Sequence, residues 1–234
     1  VYTFPLSTII EPNSYLVVCR VLDDFQATFG HKIPALGNFL GVLRNSGERI
    51  TLSDHTGETI DSVKYADRLP WPVGADGCSA SLERICPTAS SEAINWASAP
   101  LPSDGRNPTG TPGRQNATYS VNLPPAISNV TFQPTNPKPD ESITVQAKVI
   151  GKGKVTLLYR VAKSGHVGDE VELPMWIDTE ARNMYYKGVI PAHQSRSIIR
   201  FRIRAIGEDG ALRFQPDPNE PRPAYSVFID ANTN

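Results

Sequence analysis

The sequence predicts an all-β protein built from two β-sandwich domains in tandem, and three observations lead to this prediction. Apolar residues alternate with polar ones in short segments of strand length. The 234 residues include 21 Pro and 17 Gly, whereas the long runs of Ala, Leu, Glu and Lys that favour helices are absent. A Pro-rich stretch near the middle separates two halves of about 110 residues, the usual size of a β-sandwich.

The first half contains five segments with the composition of strands. They lie at residues 15–20, 39–44, 50–53, 59–65 and 80–85. Residues 45–48 (Asn-Ser-Gly-Glu) join the second and third segments as a tight hairpin, and residues 54–57 (Asp-His-Thr-Gly) join the third and fourth. This order predicts a β-meander, and Trp96 after it is expected to anchor the core.

The boundary between the two halves is predicted where the composition changes to Pro, Gly, Ser, Asn and Thr, at residues 99–125. Such a stretch cannot continue a strand or a helix, and its final pair, Pro124-Pro125, stiffens it. We therefore predict one domain at 1–117, a Pro-rich linker at 118–125 and a second domain at 126–234.

The second half contains seven predicted strands in about 105 residues, a spacing typical of an immunoglobulin-like or fibronectin type III-like sandwich. They lie at residues 127–132, 142–149, 154–161, 170–175, 184–190, 198–206 and 224–229. The second half has no cysteine, so it lacks the Cys…Trp…Cys core of immunoglobulin domains. The fibronectin-like variant is favoured.

Charge and hydropathy exclude several classes of function. The net charge is −1, from 23 basic and 24 acidic residues interspersed along the chain, so nothing favours nucleic acid as a partner. The longest apolar runs have the length of strands, which predicts no membrane insertion and no signal peptide. The chain is therefore either cytosolic or part of a longer protein.

The three cysteines, Cys19, Cys78 and Cys86, all lie in the first half. If residues 79–85 form one extended strand, Cys78 and Cys86 lie on the order of 25 Å apart and cannot be bridged. Free buried thiols are favoured over a disulfide from Cys19 to either of the others. Cysteine and histidine spacing predicts no zinc site, and we expect no cofactor.

Catalytic and metal-binding patterns are also missing, and the chain is not expected to be an enzyme. No nucleophile motif accompanies the four histidines, which fall in separate predicted loops: His31, His55, His166 and His193. The aspartates at 23–24, 54 and 61 lack the spacing of a calcium loop, so no metal is predicted. Residues 151–154 (Gly-Lys-Gly-Lys) lack the phosphate-loop pattern and are expected to form a hairpin loop.

A series of short motifs in the first half resembles the lamin-tail domain family, in its bacterial branch. The motifs are Phe4-Pro5, residues 12–18, 43–48, 54–57 and 61–65, Trp71-Pro72, residues 81–84 (Ser-Leu-Glu-Arg), Trp96 and residues 111–116 (Thr-Pro-Gly-Arg-Gln-Asn). Their order is more specific than any one of them, and the resemblance covers residues 1 to 117. It implies an immunoglobulin-like fold for the first domain, and structural packing for Trp71 and Trp96.

The resemblance also implies a setting. Bacterial members of the family are modules of large secreted or surface-attached proteins, often near immunoglobulin-like units or kinase domains of the spore-coat-protein-H type. The family's opening strands are absent before Val1, so we expect a truncated first domain whose open edge invites pairing into a dimer.

Two features of the second half are candidate ligand sites. Arg200, Arg202 and Arg204 share one face of a predicted strand, which makes them either an anionic-ligand patch or, as we favour, a solvated face opposite Ile199, Phe201 and Ile203. Trp176 is the candidate for stacking on a sugar, although burial in the core is the commoner fate of tryptophan.

The sequence thus favours a non-catalytic structural, spacer or adhesion module of a larger bacterial protein, secreted or at the cell surface. Its expected partners are other domains of that protein or surface partners. Two alternatives are a carbohydrate- or other ligand-binding module and an accessory region of a multidomain kinase or hydrolase.

Overall fold

The computed structural model describes residues 1–179 and 184–230. It divides into two compact units, Val1–Tyr119 and Ser120–Asn234, which we call the N-terminal and C-terminal units. Strands dominate, and within the described ranges helical residues are confined to α1 (Leu22–Phe29) and a 3₁₀ turn at Ala93–Asn95. The predicted all-β class is confirmed. No helix in the described ranges is long and apolar enough to cross a membrane.

The N-terminal unit contains three small sheets of two strands each in its described residues. The strands are β1 (Val17–Val18), β2 (Ala35–Leu36), β3 (Arg49–Ser53), β4 (Thr59–Lys64), β5 (Leu82–Arg84) and β6 (Trp96–Ser98). β1 pairs with β2 in parallel, whereas β3 with β4 and β5 with β6 are antiparallel pairs. The sandwich predicted for residues 1–117 therefore stays a prediction.

One local prediction for this unit is wrong, and one helix was not predicted. Residues 39–44 contain no strand, because the chain turns at Gly41 (φ 97°) and leaves Leu40 and Val42 exposed. The helix α1 was not predicted at all. Asp23 and Asp24 in its first turn suit the positive end of the helix dipole, and the rings of Phe25 and Phe29 lie 5.1 Å apart on one face.

The turn predicted at residues 45–48 does form, although it is not preceded by a strand. The amide of Gly47 donates to the carbonyl oxygen of Arg44 at 3.1 Å. Gly47 has φ 108°, and a Cβ atom there would lie 2.3 Å from the carbonyl oxygen of Tyr65. Only glycine fits this position, because it lacks the Cβ that would collide with the backbone.

The C-terminal unit is built from two sheets. Its strands are β7 (Ala126–Gln133), β8 (Ile143–Ile150), β9 (Gly153–Lys163), β10 (His166–Val167), β11 (Val171–Pro174), β12 (Trp176–Ile177), β13 (Tyr185–Ile190), β14 (Ser197–Gly207), β15 (Leu212–Gln215) and β16 (Tyr225–Ile229). One sheet has the order β12-β13-β8-β7. In the other, β10 and β11 pair with β9, β9 pairs with β14, and β14 pairs with β15 and β16.

A continuous apolar core holds these two sheets together. Alternate residues of β8 and β14 are buried, as a strand with one face in the core requires. The ring of Phe201, which is 1% exposed, contacts Phe132 edge-on at 5.4 Å and stacks on Tyr225 at 5.2 Å. Each of the seven strands predicted in this half overlaps a strand of the structure, and the unit has a sandwich-like architecture.

Candidate functional site

The candidate arginines lie on the outer face of the sheet that contains β9 and β14, opposite the buried side chains of Ile199 and Phe201. Arg202 donates to both carboxylate oxygens of Glu170, at 3.0 and 3.2 Å. Arg204 donates to both oxygens of Glu172, at 3.0 and 2.7 Å, and this hydrogen bonding lowers the pKa of Glu172. Two of the three arginines therefore form ion pairs within the protein.

The two ion-paired arginines lie beside buried residues of the neighbouring strand β9. Arg202 is opposite Leu158 in the register of β14 with β9, and Arg204 is opposite Thr156. Leu158 and Thr156 are almost fully buried although they belong to the outer face. The long stems of arginine can shield apolar groups in this way while the charged heads stay hydrated. Arg200 alone of the candidate arginines is exposed.

Trp176 lies on the outer face of the other sheet, at its β12 edge, and is half exposed. The register places it opposite Lys187 of β13, which is opposite Gln146 of β8. One step along the strands, Asp178 donates its amide to the carbonyl oxygen of Tyr185 at 2.7 Å. Tyr185 is in turn opposite Lys148. These six residues form two adjacent rows, which we call the Trp176 face.

Hydrogen bonds fix several side chains of the Trp176 face. The amide nitrogen of Gln146 donates to Asp178 Oδ2 at 2.8 Å, and the amide nitrogen of Asn129 donates to the Tyr185 hydroxyl at 3.4 Å. Gln146, Asp178, Tyr185 and Lys187 are all half-buried. The face therefore combines an accessible indole with amide, carboxylate, phenol and ammonium groups.

Two of the four histidines, His166 and His193, line one cleft of about 680 Å³ in the C-terminal unit, together with Lys163. The ring of His193 lies 5.6 Å from that of Tyr159. Burial of the imidazole, reinforced by the charge of Lys163, lowers the pKa of His193. This proximity could not be predicted from sequence, because three described strands, β11 to β13, separate the two histidines along the chain. The lowered pKa favours the neutral form of His193, whose ring packs beside that of Tyr159.

Two of the four carboxylates that we considered for calcium, Asp54 and Asp61, have structural partners. Asp54 Oδ1 accepts from the Thr56 amide at 2.8 Å and the Glu58 amide at 2.9 Å, which closes the turn after β3. Asp61 pairs with Arg84 at 2.6 Å. Within the described residues, no group of three or more His, Cys, Asp or Glu side chains is arranged to hold a metal ion.

The N-terminal unit contains a buried carboxylate that the sequence did not identify as important. Glu83 is 3% exposed and accepts from the Thr111 hydroxyl at 3.0 Å and from both the amide and the hydroxyl of Thr118 at 3.2 Å. Asn116 donates to the carbonyl oxygen of Arg84 at 3.0 Å. These contacts attach residues 111–118 to β5, so two motifs far apart in sequence form one cluster.

A second buried polar residue, Asn95, stabilises the loop between β5 and β6. Its side-chain oxygen accepts from the Cys86 amide at 2.8 Å, and its nitrogen donates to the carbonyl oxygens of Cys86 and Ser90, both at 2.7 Å. Asn95 is fully buried. Such a side chain substitutes for backbone hydrogen bonds where no strand pairing is available.

The two tryptophans of this unit pack near each other, and its three cysteines are unpaired with one another. The rings of Trp71 and Trp96 lie 6.0 Å apart, with Trp71 buried and Trp96 half-buried. Cys19, Cys78 and Cys86 are all free thiols. The free thiols favoured from sequence are present, although only Cys86 is fully buried.

Comparison with known proteins adds no family. No protein-family model and no curated protein sequence matches the chain. Among solved structures, it is similar to the uncharacterized protein lmo2446 from Listeria monocytogenes EGD-e, crystallised in complex with α-D-glucose, β-D-glucose, magnesium and calcium. The match has 13% sequence identity and a TM-score of 0.32, and it covers 43% of this chain and 9% of the Listeria chain. A similarity of this size supports no inference about fold or function.

Proposed function

We propose that this chain is a non-catalytic module of a larger bacterial extracytoplasmic protein, in which it spaces or attaches other domains. The observation that carries the proposal is that the charged side chains best suited to catalysis or binding make contacts within the protein. Arg202 and Arg204 neutralise glutamates, Asp54 closes a turn, and Glu83 attaches a loop to a strand. Groups engaged in this way stabilise a scaffold and are not poised to react.

For the C-terminal unit we propose an immunoglobulin or fibronectin type III-like fold. The strands β7, β8, β13 and β12 correspond in order to A, B, E and D of a constant-type immunoglobulin sandwich. In the second sheet β9 and β14 correspond to C and F, with β15 and β16 together in the place of G. Domains of this kind commonly serve as spacers or adhesion units in surface proteins.

For the N-terminal unit we propose a lamin-tail-like domain. Motifs that carry the resemblance in sequence contact one another in space: Glu83 binds Thr111, Asn116 binds the backbone of Arg84, and Arg84 pairs with Asp61. This arrangement explains why those residue types occur together in one domain. On this proposal these residues contribute to folding, and the function of the module depends on its surface.

The proposal is tested by locating the parent protein. Antibodies raised against the purified chain are used on fractionated cells and on intact cells treated with protease. We expect the antigen in the medium or at the surface, where protease removes it without lysis. Recovery of the antigen only from the cytosol would contradict the proposal.

We also propose that the β3–β4 hairpin pairs with a second copy of the chain. Among the described strands, β3 and β4 pair only with each other, and Ile60 and Leu52 are exposed on them. Exposed backbone edges favour strand addition. Light scattering after size-exclusion chromatography is expected to show a dimer that grows with concentration, and replacing Thr51 with Pro should abolish it. A monomer at all concentrations would overturn this proposal.

A further inference from the structure

We propose that the Trp176 face binds an acidic oligosaccharide, with the indole against a sugar ring and Lys187 and Lys148 near sugar carboxylates. This is a binding activity beyond that of a spacer. It follows from the surface of the C-terminal unit alone and does not depend on where the parent protein resides.

The first observation is the exposure of the indole. Trp71 and Trp96 pack against each other, whereas Trp176 leaves half of its surface in water. Exposure of a large aromatic side chain forgoes part of the free energy that its burial would contribute. The apolar C–H face of a pyranose ring fits such a flat surface and removes it from water, while the sugar hydroxyls remain available to polar neighbours.

The second observation is the position of the polar groups beside the indole. Neighbouring strands lie about 4.8 Å apart, so Lys187 is one strand spacing from Trp176 and Gln146 is two. A pyranose ring has about the width of one strand spacing, so two or three linked sugars would cross β12, β13 and β8. Gln146 is already held by Asp178 at 2.8 Å, and a fixed amide loses little conformational entropy when it binds a hydroxyl.

The third observation is charge, which distinguishes acidic from neutral sugars. Lys148 and Lys187 contribute two positive charges to the face, and Asp178 contributes one negative charge. In the described part of the chain, the ion pairs involve Arg84, Arg160, Arg202 and Arg204, and neither lysine takes part in one. On the outer face of the other sheet, by contrast, Arg202 and Arg204 each have a glutamate partner. The Trp176 face therefore keeps an excess positive charge that a uronic acid complements.

Isothermal titration calorimetry of the full chain tests this proposal. The probes are oligogalacturonate and oligoglucuronate, with cello-oligosaccharide of equal length as the neutral arm and poly-glutamate as a charged polymer without sugars. We expect saturable binding of at least one uronate and weaker binding of the neutral arm. Because lysine contacts are electrostatic, the affinity should fall as salt is raised.

Variants assign the binding to this face. Trp176→Ala should weaken uronate binding about tenfold or more, equivalent to about 1.4 kcal/mol. The double variant Lys148→Gln/Lys187→Gln should weaken it and remove most of the salt dependence. Phe228→Ala is the matched control, because Phe228 is 51% exposed, against 50% for Trp176, but lies in the other sheet. Its affinity should be unchanged, and circular dichroism checks that each variant is folded.

Several outcomes would overturn the proposal. These are the absence of saturable binding to both uronates, equal loss in Trp176→Ala and Phe228→Ala, and equal or tighter binding of the neutral sugar. Poly-glutamate binding as tightly as the uronates would show that charge alone is recognised. None of these results bears on the cellular location that tests the proposed function, so the two proposals can fail separately.

Discussion

The two units of this chain are stabilised in different ways. The C-terminal unit buries a continuous apolar layer between two sheets, in which Ile143, Leu157, Ile190 and Ile203 are fully buried. The N-terminal unit has only two-stranded sheets in its described residues, and its buried groups include the polar side chain of Asn95. Long paired strands allow a core to form from repeated apolar residues, whereas short strands require individual polar contacts.

The difference also extends to exposed apolar surface. In the N-terminal unit Leu6 is 98% exposed and Leu40 85%, whereas the large apolar side chains described as exposed in the C-terminal unit reach at most 70%, at Val121. The N-terminal unit therefore obtains less of its stability from apolar burial. Substitutions in the two units should reveal this contrast.

The largest effect is expected from removing an aromatic ring from the apolar core. Phe201→Ala leaves a cavity beside Phe132 and Tyr225 and should lower the free energy of unfolding of the C-terminal unit by about 4 kcal/mol. Urea unfolding monitored by the fluorescence of Trp176, the one tryptophan of that half, measures it. Phe228→Ala should cost less than about 1 kcal/mol, and similar losses in both variants would contradict the assignment of Phe201 to the core.

A somewhat smaller effect is expected from the polar interior of the N-terminal unit. Asn95→Ala removes three buried hydrogen bonds, one from the Cys86 amide and two to the carbonyl oxygens of Cys86 and Ser90, which should cost about 3 kcal/mol. Unfolding followed by near-ultraviolet circular dichroism of the Trp71–Trp96 pair measures the loss. The control is Asn45→Ala, whose exposed side chain makes one long hydrogen bond of 3.4 Å to Asp76. A loss no greater than that of the control would refute a stabilising role for Asn95.

The smallest effect concerns pH. Because burial lowers the pKa of His193 from its ordinary value of 6.5, the folded state binds a proton less readily than the unfolded chain. The stability contributed by neutral His193 is therefore complete above pH 6.5 and declines as pH falls through 6.5 toward the lower folded-state pKa.

Replacing His193 with Asn should reduce this pH dependence. The urea midpoint of the C-terminal unit is compared for wild type and variant on both sides of pH 6.5, and the difference between them isolates His193 from the other titrating groups. His31→Asn, a change at an exposed histidine, is the control. An unchanged pH profile in His193→Asn would show that the imidazole does not couple to folding.

Prediction from sequence was accurate where one physical rule dominates. In β8 and β14 the alternation of apolar and polar residues reflects burial of one sheet face, so the strands could be found from the pattern alone. At residues 39–44 the same kind of pattern was misleading, because Gly41 turns the chain and no described strand pairs with this segment. In α1 the pair of Phe25 and Phe29 was the available signal, and it was missed.

The candidate site could be predicted only in part. The alternation of side chains along a strand correctly placed Arg200, Arg202 and Arg204 on one face. It could not predict that two of them pair with glutamates, because Glu170 and Glu172 lie thirty-two residues away in sequence. Trp176 could be named as a candidate, yet its exposure depends on its place at the edge of a sheet. Its neighbours Lys187 and Gln146 come from two other strands and are joined only by the register.

The sequence by itself determined the all-β class, the strands of the C-terminal unit and the set of residues with chemical potential. These features depend on the local alternation of side chains and on turn residues, both of which can be read from residues that are close together in sequence. The tertiary structure decided how those residues are used: Glu83 and Asn95 became internal hydrogen-bonding groups, Arg202 and Arg204 became ion-paired, and Trp176 stayed exposed. Burial and pairing across strands depend on contacts distant in sequence, which local patterns do not contain.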